Sequence, residues 1–112
     1  MIKVEIYRNK NQKISGFTLK GHADYAQSGL DIVCSAASLL VFNTINSIER
    51  FTEENIQYGL EENGGYLTCT LPDIKKGKES HDAALLLDTM VFGLKSLEEE
   101  YGKYIHITDK EV

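Results

Sequence analysis

Asp31-Ile32-Val33-Cys34-Ser35-Ala36-Ala37-Ser38-Leu39-Leu40-Val41-Phe42 is the stretch that decides how this chain folds. Alanine and leucine are strong helix formers, and from Ile32 to Phe42 the segment is apolar on nearly every side. Asp31 stands where an N-cap belongs, so the pattern predicts a helix of about 20 residues ending near Thr52. A helix apolar on more than one face needs more than one cover. A sheet on one side and a second subunit on the other would supply it.

Reading outward, Ile2, Val4 and Ile6 alternate with Lys3, Glu5 and Tyr7, the period of a half-buried strand. Arg8 to Gln12 is a polar turn, and residues 13–20 resume strand character with a change of parity around Ser15-Gly16, which predicts a hairpin with a bulge at Gly16. Gly21 to Gly29 has no sustained period and reads as a loop. Beyond the helix, Ile56, Tyr58 and Leu60 alternate, as do Leu67, Cys69 and Leu71, with Asn63-Gly64 marking a hairpin turn. Ala83, Leu87, Met90, Val91, Leu94, Leu97 and Tyr101 recur at helical spacing up to Gly102, and Tyr104 to Thr108 alternates once more. The order is ββαββαβ. It predicts a single α+β domain over residues 1–112, with a five-stranded mixed or antiparallel sheet and two helices packed on it.

The chain has 112 residues, 42% apolar and 26% charged, with a formal net charge of -5. Excess acid opposes non-specific nucleic-acid binding, which depends on Lys and Arg neutralising phosphates. The alternating N-terminus lacks the apolar run of a secretory signal, and Ala36 to Phe42 falls short of the roughly 20 residues of a bilayer span. The expectation is a cytoplasmic protein with no direct nucleic-acid or membrane partner and with Cys34 and Cys69 as reduced thiols.

The chemistry concentrates around Cys34. With Asp31 as N-cap, Cys34 occupies the third helical position, where the helix dipole and free backbone N–H groups favour a thiolate and can hold an oxyanion. His22, in the preceding loop, has the intrinsic pKa of about 6.5 that lets one group accept the thiol proton and return it to a leaving amine. Twelve residue steps span roughly 40 Å when extended, so the spacing permits a contact without forcing one. The same residues also fit a plain reading, in which Cys34 packs in the core like an alanine and His22 ends a strand. Asp31 is read first as the cap and second as a partner orienting His22. Ser38, one turn beyond Cys34, either lines the site or bonds back to a helix carbonyl. Tyr25 is a candidate for apolar substrate contact.

Cys69 is in phase with Leu67 and Leu71 and reads as core. His22, Cys34, Cys69 and His81 contain no close-spaced ligand pair, so no metal or other cofactor is expected. His106 falls out of phase with its apolar neighbours and reads as exposed. Lys75-Lys76-Gly77-Lys78 is a basic turn, with a lid over the substrate as its functional alternative.

Gly21-His22-Ala23, then Gly29, Asp31-Ile32-Val33-Cys34, Ala36 and Ser38, resembles the signature of the ribosomal-processing cysteine protease family, Prp. Chain length and element order agree with it, so the resemblance extends over essentially the whole chain. Ser35 and Ala37 depart from it, since relatives more often carry Ala and then Val there. The resemblance implies a homodimeric cysteine endopeptidase that removes the short N-terminal extension of a large-subunit ribosomal protein of the bL27 type. It makes Cys34 the nucleophile and His22 the base. It also implies an apolar pocket beside Cys34, because the extension ends in bulky hydrophobic residues and is cut before a small one. Two other functions compete: a non-catalytic ribosome-assembly binding module with the helix end as a peptide or phosphate nest, and a redox-sensing thiol protein using Cys34 alone.

Overall fold

The computed structural model describes residues 1–21, 30–61, 65–78 and 80–112. Strands β1 (Ile2–Arg8) and β2 (Ile14–Lys20) lead to helix α1 (Leu30–Phe51), then β3 (Gln57–Leu60), β4 (Tyr66–Thr70), a helical turn α2 (Pro72–Lys75), helix α3 (His81–Tyr101) and β5 (Ile105–Glu111). The sheet order is β3-β4-β2-β1-β5, and it is mixed: β1 and β5 are parallel and the other neighbours antiparallel. This is the expected architecture. The one element without a sequence signal is α2, a single turn started by Pro72.

One face of the sheet is apolar except at Asp109 near the end of β5, because registered neighbours share parity. Val4 lies between Leu19 and Ile107, Ile6 beside Phe17, Ile2 beside Ile105, and Leu19 and Phe17 beside Leu67 and Cys69; all are buried. Val33, Cys34, Ala37, Val41, Ile45 and Ile48 of α1, with Ala83, Leu87, Met90, Val91 and Leu94 of α3, complete the core. By length and composition Asp31–Phe51 would cross a membrane, with a mean hydropathy of 1.4. It passes that test because Asn43, Thr44, Asn46 and Ser47 dilute the apolar segment without breaking it. The buried row just named makes it a core helix.

The parity change in β2 is a bulge, centred one residue before the expected place. Tyr7 faces Gly16 while Arg8 faces Ile14, so Ser15 is the extra residue and its hydroxyl donates to the Tyr7 carbonyl at 3.4 Å. Gly16 is needed beside it, since a Cβ there would sit 2.8 Å from the Cys69 carbonyl oxygen. Helix α3 starts at an N-cap, Ser80, whose Oγ accepts from Ala83 N at 3.1 Å. It stops at Gly102 as expected, although that residue keeps a right-handed conformation. β5 runs three residues past the expected Thr108, because backbone pairing with β1 continues through Arg8 and Glu111.

Candidate active site

The thiol. Helix α1 begins at Leu30, one residue earlier than the Asp31 cap predicts. Asp31 is therefore the second helical residue and not the cap, its exposed carboxylate lying near the positive end of the dipole. The shift has a chemical consequence. Cys34 becomes the fifth helical residue, and regular i to i−4 bonding turns its own N–H to the Leu30 carbonyl. The Cys34 amide is thus spent on the helix, and the donors without a partner inside the helix are those of the first turn, including Asp31 and Ile32. Cys34 is only 2% exposed, beside Val33 and Ala37. Ser38 is half-buried one turn further on the same face.

The neighbouring segment. His22 and Tyr25 lie outside the described residues. What precedes them is well determined: Gly21 ends β2 with φ +89°, and its N–H donates to the Gly65 carbonyl at 3.0 Å. A Cβ there would come within 2.7 Å of the Met1 carbonyl oxygen. Glycine at this position thus turns the chain out of the sheet immediately before His22.

The second thiol. Cys69 sits in β4 between Phe17 and Tyr58, and burial, with Glu49 nearby, pushes its thiol up to about 12. It is a core residue, as its alternation predicts. No disulfide joins Cys34 and Cys69.

Elements away from the site. The basic turn Lys75-Lys76-Gly77-Lys78 starts at the last residue of α2, at the other end of β2 from the segment that leads into α1. Asn9 Nδ2 donates to the Ile74 carbonyl at 2.8 Å, and Leu71 N–H to the Ser15 carbonyl at 2.9 Å. These contacts fix α2 at the start of β2, whereas α1 is fed from the end of β2, about 20 Å away along a seven-residue strand. His81 lies exposed at the N-terminus of α3 beside Asp82, at 3.4 Å. His106 is exposed as expected, 3.1 Å from Glu98. Among the described residues no three His, Cys, Asp or Glu side chains converge as a metal would require.

Two surfaces escaped the sequence pattern. Tyr58 and Leu60 alternate like core residues yet are 47% and 50% exposed. On the helical layer, Leu39 (71%) and Phe92 (76%) protrude beside the crossing where Gly93 meets Leu40. The only available signal for the latter was the excess of apolar residues around α1.

The sequence matches the family model described as cysteine protease Prp over residues 1–106. The chain belongs to the Prp cysteine protease family. The ribosomal processing cysteine protease Prp of Staphylococcus aureus is 34% identical over 110 residues, which are 98% of this chain and all of that protein. The Bacillus subtilis Prp is 28% identical over 108 residues, 96% of each chain. Among solved structures, S. aureus Prp with a covalently linked product peptide superposes with a TM-score of 0.86 at 34% identity, covering 98% of this chain and 100% of that one. SMU.848 from Streptococcus mutans gives 0.89 at 27% identity, covering 100% and 96%. The chain is therefore a cysteine protease, with the Prp fold throughout.

Proposed function

We propose that this Prp-family chain is a cytoplasmic, homodimeric endopeptidase that removes the N-terminal extension of a large-subunit ribosomal protein of the bL27 type, using Cys34 and His22. The observation that carries the assignment is the contrast between the two thiols. A cysteine protease needs an ionisable one, and the chain has two cysteines, of which Cys69 is held protonated by burial in the sheet. Cys34 is just as buried, but it lies one turn into a long helix, close to the positive end of its dipole and to the first-turn N–H groups, on the Asp31-Ile32-Val33-Cys34 stretch that resembles the family signature.

In this reading His22 takes the Cys34 proton, Sγ attacks the scissile carbonyl, and first-turn N–H groups of α1 stabilise the oxyanion. Collapse breaks the C–N bond, and His22 returns its proton to the departing amine. Water, deprotonated by His22, then hydrolyses the thioester. Since Sγ is buried, a peptide reaches it only when the atoms covering it move aside. The name of the relatives, ribosomal processing protease, supports the substrate class, and the S. aureus structure with a substrate peptide supports a peptide ligand. The exposed Leu39 and Phe92 support an apolar contact between copies.

The test is cleavage of the organism's own extended ribosomal protein by wild type, Cys34→Ala and His22→Ala. Loss of cleavage in both variants is expected. Full cleavage by Cys34→Ala would overturn the assignment, and a monomer by sedimentation at micromolar concentration would remove the dimer.

A further inference from the structure

The two edges of the sheet are treated differently. On the β5 edge, Glu98 of α3 accepts the Ile107 N–H at 2.9 Å and lies 3.1 Å from His106 Nδ1. Lys110 pairs with Glu5, and Asp109 with Lys95, along the same strand. Charges and a covering side chain are how proteins stop an edge from pairing with another chain. Among the described residues β3 has none of this. It reads Gln-Tyr-Gly-Leu, with no charge, no proline and no bulge, and all four residues are exposed.

Its ladder shows which groups are open. Glu61 N–H donates to the Tyr66 carbonyl at 3.0 Å, and hydrogen-bonded pairs alternate along an antiparallel ladder. Gly59 opposite Thr68 and Gln57 opposite Thr70 therefore also face β4. The N–H and C=O groups of Tyr58 and Leu60 point outward. Their side chains lie on the same face as the buried Cys69 and Leu67, yet half of each is exposed. Both the backbone and the apolar face of β3 are open at the same two residues.

We propose that β3 is the docking strand of the protease, and that the substrate adds to it as a sixth, extended strand with apolar side chains falling beside Tyr58 and Leu60. This rests on the ribosomal-protein substrate proposed above. β3 ends at Leu60, level with Leu67 and next to the Gly21–Gly65 contact, the end of the sheet from which the chain enters α1. A peptide along this edge is thus led toward the Cys34 end of the molecule.

Charge selects the occupant. Glu53 and Glu54 precede β3, where with Asp73, Lys78 and Ser80 they line an open hollow of about 360 Å³, and Glu61 follows it. A second copy pairing antiparallel through β3 would bring the acidic flanks of the two strands, Glu53 and Glu54 before β3 and Glu61 after it, to the same two ends of the joined pair, like charge beside like charge. A ribosomal protein, rich in Lys and Arg because it binds RNA, complements the same frame.

The experiment uses Tyr58→Pro and Leu60→Pro, which delete only outward N–H groups, as an edge strand tolerates. With a peptide spanning the cut, each is expected to raise KM by about three- to tenfold, the worth of one main-chain hydrogen bond, with kcat within about twofold. Unchanged KM in both variants overturns the proposal. Hydrogen exchange on Cys34→Ala supplies a readout that needs neither proline variant nor turnover. A saturating basic peptide is expected to slow the Tyr58 and Leu60 amides at least tenfold. Absence of that protection, or equal protection from raised protein concentration alone, overturns the proposal. If wild type cleaves no ribosomal-protein peptide, the proposed function fails, and the exchange experiment still decides the docking strand.

Discussion

Alkylation at pH 8 should separate the two cysteines by more than steric access. Burial moves the Cys69 thiol from about 9 to about 12. At pH 8 an ordinary thiol of this kind is about one-tenth ionised, and Cys69 about one part in ten thousand, a difference of roughly a thousandfold in the reactive species. Since Cys69 is also buried on the inner face of the sheet, a reagent reaches it mainly through unfolding, which makes a thousandfold the smallest protection expected. Cys34 is equally buried but lies four residues from the start of its helix, so opening of the first turns is expected to expose it without global unfolding. The assay is iodoacetamide labelling with peptide mapping by mass spectrometry, in buffer and in urea. Native Cys69 labelling within tenfold of its rate in urea, while circular dichroism reports a folded chain, would refute the reasoning. Linkage gives a second reading. The folded state holds the Cys69 proton more tightly, so its contribution is fully present below about pH 9 and is lost as pH rises toward 12, by at most about 1.4 kcal/mol per pH unit. Tyr7, also raised by burial, adds a loss of the same sign at alkaline pH, so the comparison with Cys69→Ala isolates the thiol.

Three further substitutions test the frame that holds the site. Gly21→Ala forces a Cβ against the Met1 carbonyl at positive φ and should destabilise the protein by about 1–3 kcal/mol, read by urea melts, while lowering peptidase activity through the displaced start of the His22 segment. Asn9→Ala removes a buried side chain that donates to the Ile74 carbonyl and accepts from Asn11 and Lys13; a loss of about 1–3 kcal/mol is expected, with kcat unchanged because α2 is remote from Cys34. Glu98→Gln weakens the clamp on Ile107 and should cost about 0.5–1.5 kcal/mol, with faster hydrogen exchange at the Ile107 amide as its signature.

The inner face of the sheet was legible because burial there follows strict alternation: Ile2, Val4 and Ile6, and Leu67, Cys69 and Leu71, all fall where a period of two puts them. Asp31 failed as a cap for a reason local pattern cannot resolve. An acid in the first turn and an acid at the N-cap both satisfy the dipole, so composition alone does not fix the first helical residue. The polar end of β5, Asp109 to Glu111, carries no alternation and is strand only because β1 lies beside it. Tyr58 and Leu60 have the right parity for the core, but parity says which face a residue is on, not whether a helix covers it. For the proposed catalytic pair, the sequence showed a thiol near a helix start, whereas the protease chemistry rested on family resemblance; His22 lies outside the described residues.

Helix α1 shows how one apolar segment can answer several demands. Its exposed stripe runs Ile32, Ser35, Leu39, Asn43, Asn46 and Arg50. The first half is apolar or small, and the second half is polar. Apart from Phe51 at the far end of the helix, the open apolar surface lies in the half that begins near Cys34, with Leu39 next to the place where Leu40 meets Gly93, the neighbour of the exposed Phe92. In the proposed dimer this makes association and catalysis share one end of one helix: whatever covers Ile32 and Leu39 also sets the packing of the turns that hold Cys34. A helix polar on that side would leave the nucleophile on an element anchored from the sheet face alone. In that proposed dimer, the over-apolar character that resembles a membrane span in composition would have a mechanical explanation, with the proposed nucleophile near the helix end packed from two sides.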